Sequence, residues 1–131
     1  MDIEDEQMYV YYNPNPRQRH TGDCTVRAVS KALGISWETA YIDLVMEGYS
    51  LADMPSSNLV MQRYLRTKGF SKHVIPDTCP DCYTFAEFAE DHPKGTYIVC
   101  TGTHVATIID SVLWDSWNSS DEILIFYYKR D

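Results

Sequence analysis

Apolar residues recur with two different periods along this chain, and the change of period divides it. Val26, Val29 and Leu33 repeat at i, i+3 and i+7, which predicts a helix, and Gly34 stands where a left-handed cap belongs. Trp37, Ala40, Tyr41, Leu44 and Val45 continue the helical repeat, with Ser36 as N-cap and Gly48 as the expected stop. Ser50–Ser56 reads as loop, and a third helix is expected from about Ser57 to Lys68, ending at Gly69. Thr84 and Glu87 form a capping box for a short helix that puts Phe85, Phe88 and Ala89 on one face. Pro93-Lys94-Gly95 ends that helix, and the period then shifts towards two.

Thr96–Thr101, His104–Ile109, Val112–Trp117 and Glu122–Lys129 are rich in β-branched and aromatic residues, with short turns such as Asp110-Ser111 between them. Two earlier segments also read as strands: Tyr9–Tyr12, stopped by Asn13-Pro14-Asn15-Pro16, and Phe70–Ile75. Helices first and antiparallel strands after them define an α+β arrangement. No repeat, low-complexity tract or linker interrupts it, so residues 1–131 read as one domain, with 1–8 an acidic tail.

Composition narrows the function classes. Lys+Arg is 11 against Asp+Glu 19, a formal net charge of -8. That balance argues against nucleic-acid binding through phosphates and against a polybasic membrane anchor. No apolar run approaches the roughly 20 residues of a membrane-spanning helix. The acidic start, Met1-Asp2-Ile3-Glu4-Asp5-Glu6, is unlike a signal peptide, so a cytoplasmic protein is expected. Four cysteines are too few for a disulfide scaffold, so each needs its own explanation.

Cys24 has the clearest one. It opens the first helix in Gly22-Asp23-Cys24, where the helix dipole favours thiolate, the nucleophilic form. His104 begins a strand after Thr101-Gly102-Thr103. If Asp110-Ser111 is a two-residue hairpin loop, paired residue numbers sum to an odd value, and Asp115 lies on the face of His104. A carboxylate there orients an imidazole as base for a thiol. Gln18, in the loop before the helix, is a candidate oxyanion donor together with the Cys24 backbone N–H, and Asn15 competes for that role.

These residues resemble the papain-like cysteine peptidase superfamily, with the same order of glutamine, cysteine, histidine and acid. Gln18-Arg19-His20-Thr21-Gly22-Asp23-Cys24 is similar to the motif of bacteriocin-leader (double-glycine) peptidases, domains of similar length. The run from Asn13 to Pro16 with Gly22 to Ala28 also looks like uncharacterised proteins of gut Firmicutes and their phages. The chain departs from the leader peptidases at Thr25, where they carry glycine, and at Ser116, where they carry proline. Its histidine-to-acid spacing is also shorter. The resemblance implies a papain-like fold, N-terminal helices on a C-terminal antiparallel sheet. It also implies Cys24 as nucleophile, His104 as base, Asp115 as orienting acid and Gln18 as oxyanion donor. The expected function is amide-bond chemistry on a peptide or protein substrate through an acyl-enzyme, with no cofactor and no metal. Hydrolysis, deamidation and acyl transfer remain open.

The rival reading is a catalytically inactive domain of this fold that binds a protein through its acidic surface. A third is a zinc-stabilised module on Cys79-Pro80-Asp81-Cys82, for which His73 and His92 are the nearby further ligands. Cys100 and Trp37 read as core, and Arg27 as the partner of Asp23 or of an acid elsewhere. Trp117 is expected on the face of Asp115, shielding its bond to His104.

Overall fold

Local chemistry sets most element ends. The computed structural model describes residues 8–76 and 82–130. Strand β1 (Tyr9–Tyr11) runs into the proline pair, and helix α1 (Cys24–Leu33) closes on Gly34 at φ 67°, a left-handed conformation glycine enters without steric cost. The side chain of Ser36 caps α2 (Trp37–Leu51), and that of Ser57 caps α3 (Asn58–Thr67). Strand β2 (Phe70–Val74) follows, and the Thr84–Glu87 capping box starts α4 (Phe85–Asp91). Four strands complete the chain: β3 (Thr96–Cys100), β4 (Val105–Ile109), β5 (Val112–Asp115) and β6 (Phe126–Arg130).

Three expectations about elements are corrected. Gly48 does not stop α2, which continues to Leu51 and ends at Ala52, itself at φ 53°. Gly48 is instead a point of close approach: a Cβ there would lie 2.7 Å from the Asp53 carbonyl oxygen of the returning chain. The last strand begins at Phe126 rather than Glu122, because Ile123 makes an isolated bridge to Thr84 and Leu124 donates to the Tyr83 carbonyl. The sheet is mixed rather than antiparallel. Its order is β1-β5-β4-β3-β6-β2, and β1 lies parallel to β5 at one edge. A strand as short as β1 carries no sequence signal for its direction.

The sheet has a core on each face. Ile98 and Cys100 of β3 pack with Ala28, Val29, Leu44, Met61 and Leu65 from α1 to α3. Tyr97 and Val99, which alternate with them, pack with Phe85 and Phe88 of α4. Helix α1 is tied to β4 by the Thr107 hydroxyl, which donates to the Ala28 carbonyl at 2.8 Å. That bond fixes the N-terminus of α1 beside the start of β4 and the end of β5.

Candidate active site

The hairpin places the acid. Asp110 and Ser111 both have positive φ, 48° and 71°, as a tight two-residue loop requires. The register pairs Thr107 with Trp114 and Ile108 with Leu113, so the sums are odd and Asp115 falls diagonal to His104. The His104 Nε2 lies 2.6 Å from the Asp115 Oδ2. Cys24 lies beside His104 in the lining of one cleft, and the His104 side chain acts on its thiol. With Nε2 engaged by Asp115, Nδ1 is the nitrogen left to face the thiol. Three of the four expected site residues therefore meet.

Gln18, the fourth, does not join them. It sits at φ 55° in a turn closed by its own N–H on the Asn15 carbonyl. Its Nε2 donates to the carbonyls of Asn13 and Asn15, at 3.3 and 3.1 Å. The turn thus folds the amide back onto its own loop. Asn15, the competing donor, is buried, and its Oδ1 accepts from the Arg17 N–H. The amide hydrogens in the first turn of α1 are not taken up by a side-chain cap, because Asp23 occupies the N-cap without a capping bond.

Asp23 is used elsewhere. Its Oδ1 pairs with the Arg27 Nη1, and its Oδ2 accepts from the Trp37 indole N–H at 2.9 Å. The other arm of Arg27, Nη2, reaches the Asp115 Oδ1 at 3.0 Å. Ser119 donates to the Asp115 Oδ2 at 2.6 Å, and the Ser116 N–H to its Oδ1 at 2.7 Å. Trp37 was expected in the core; it is half-buried and hydrogen-bonds the N-cap. The Asp23–Arg27 pair was legible from its i,i+4 spacing, whereas nothing in the sequence pointed to Ser119.

This arrangement sets the charge state. Asp23, Arg27 and Asp115 are all buried, so two carboxylates face one guanidinium. A protonated His104 places positive charge directly against Asp115. Burial opposes that charge, but the hydrogen bonds to Asp115 and Cys24 outweigh burial and raise the His104 pKa to about 9. Burial would likewise raise the Cys24 thiol. The hydrogen bond from His104, the Val105 N–H and the charges of His104 and Arg27 reverse this and hold it below its ordinary value. Burial also works against ionised Asp115, yet the bonds from His104 and Ser119 keep its carboxyl below the usual range. The favoured state is thiolate beside imidazolium.

The group opens into a cleft of about 370 Å³ lined by His20, Thr21, Gly22, Thr103 and Trp117. Trp117 lies past the end of β5 and is half-exposed; its ring centroid is 4.9 Å from that of His104, so it covers one side of the imidazole. Cys100 is fully buried, as expected of core. Cys79, Pro80 and Asp81 of the C-x-x-C segment lie outside the described residues. Among the described residues no cluster of metal-ligating side chains occurs, and no helix is long and apolar enough to cross a membrane.

No family model, curated protein or solved structure matches this chain.

Proposed function

We propose that the protein is a small cysteine peptidase or related amide hydrolase with a papain-like arrangement of helix and sheet. The observation that supports this is the thiol beside an imidazole that is itself hydrogen-bonded to a buried carboxylate, with the thiol at an uncapped helix N-terminus in an open cleft. Cys24 thiolate attacks the substrate carbonyl carbon. The oxyanion that forms is met by amide hydrogens of the first turn of α1. Imidazolium His104 protonates the leaving nitrogen, the C–N bond breaks, and an acyl-enzyme remains. Neutral His104 then takes a proton from water or another acceptor nucleophile, which attacks the thioester and releases Cys24. Asp115 holds the tautomer and balances the imidazolium charge.

Thiol reactivity tests this directly. Iodoacetamide at about pH 6 is expected to modify Cys24 at least ~10-fold faster than Cys82 or Cys100, because the Cys24 thiol is held below its ordinary pKa and opens into the cleft. Peptide mapping by mass spectrometry identifies the modified cysteine. Equal rates at all three would remove the nucleophile and leave a protein-binding domain as the reading.

A further inference from the structure

We propose that the groove next to the cleft is a substrate subsite for an acidic side chain, so that the amide attacked by Cys24 belongs to a peptide carrying aspartate or glutamate close to the scissile carbonyl. This rests on the reading of Cys24 as nucleophile. The groove has a volume of about 550 Å³ and shares Thr21 and Gly22 with the cleft, so the two adjoin. Gly22, on the shared wall, faces open space, since even an added Cβ there would meet nothing within 4 Å.

Two arginines line the groove, Arg17 and Arg19. Among the described residues neither guanidinium has a hydrogen bond or ion pair, in a chain whose acids outnumber its bases by 19 to 11. Among the described residues Asp23 is the only carboxylate in the lining, and it is 7% exposed and committed to Arg27 and Trp37. Among the described residues the groove therefore presents cationic charge with no free anion to meet it.

Its wall suits the stem of such a side chain. Trp37 and Tyr41 stack at 5.0 Å with their planes 18° apart. The indole is anchored by Asp23, so this aromatic surface is held in place before substrate arrives. A glutamate or aspartate can rest its methylenes on the rings and offer its carboxylate to the guanidinium forks.

The net charge of -8 alone would favour a basic substrate through long-range steering. In physiological salt, charges beyond about 8 Å are largely screened, so the nearest groups decide the contact. Here those groups are the arginines.

The test uses the full chain and two peptidyl chloromethyl ketones. They are identical except for glutamate or lysine at the residue before the reactive one. Thiolate attack forms a C–S bond, breaks the C–Cl bond and releases chloride, leaving a thioether on Cys24 that mass spectrometry quantifies. The glutamate probe is expected to react roughly 3- to 10-fold faster at low salt, as exposed ion pairs allow, with the ratio shrinking as salt rises. The Arg17→Glu, Arg19→Glu double variant, both positions exposed, should bring the ratio of the two probes to one or below, each rate being divided by that variant's own iodoacetamide rate at Cys24. Equal rates for the two probes, or a preference that survives the double variant, would overturn the subsite and leave the nucleophile standing. Slow iodoacetamide labelling of Cys24 would remove both.

Discussion

Asp115 divides its two oxygens between tasks: Oδ2 takes His104 and Ser119, while Oδ1 takes Arg27 and the Ser116 N–H. Asp115→Asn puts an NH2 group in place of one acceptor, so either Arg27 or His104 then faces a donor. The charge that favours imidazolium is lost as well. We expect turnover of an amide substrate to fall by roughly 10²- to 10⁴-fold in stopped assays, with the far-UV CD spectrum retained. Gln18→Ala tests the opposite case. Its amide is tied to the Asn13 and Asn15 carbonyls, so the variant should keep its rate within about threefold. A loss near 10²-fold, the usual cost of a missing oxyanion donor, would mean that the loop reopens on substrate and returns Gln18 to the thiol. The contrast shows which site features the chain reveals. Helix position made Cys24 legible and strand parity made Asp115 legible, because both depend on regular periods. Gln18 depended on spacing across a turn, and one positive φ redirected it. The long-range pair of Arg27 with Asp115 has no period to reveal it, since the partners lie 88 residues apart.

Elements were legible where caps and periods agree. Gly34, Ser36, Ser57 and the Thr84–Glu87 box all mark true ends. Gly48 misleads because glycine serves two purposes, terminating a helix or admitting another segment of backbone, and only the tertiary structure decides between them. Substitution separates the two. Gly48→Ala drives a methyl group against the Asp53 carbonyl and the Pro55 nitrogen, so it should destabilise the protein by about 1–3 kcal/mol in urea unfolding. Ala52→Gly, four residues on, should do the reverse. Ala52 is exposed, closes α2 at φ 53° and pays the left-handed penalty for its Cβ, so glycine is expected to gain about 0.5–1 kcal/mol. If Gly48→Ala were neutral, the close approach would not be what requires glycine there.

Across the whole molecule, the site should leave a particular mark on stability as a function of pH. His104 has a folded pKa of about 9 against 6.5, so the stability it contributes is complete below 6.5 and is lost as pH rises towards 9. Cys24 is lowered from 9.0, so its contribution is complete above that value and is lost as pH falls towards its folded pKa. In the part of the interval from pH 6.5 to 9 that lies above the folded pKa of Cys24, the two slopes oppose each other. In proton terms, the unfolded pair there holds one proton on sulfur and the folded pair holds one on nitrogen, so folding neither takes up nor releases any. The native protein should therefore show a nearly flat unfolding free energy in that range, as far as this pair is concerned. Cys24→Ala removes one side of the balance. Asp115 still raises His104, folding of the variant then takes up a proton, and its stability should decline with rising pH by up to about 1.4 kcal/mol per pH unit. Urea midpoints for the two proteins at several pH values across the interval measure the difference. Parallel curves would mean that the thiol and the imidazole do not share their proton, and the thiolate–imidazolium state would have to be abandoned.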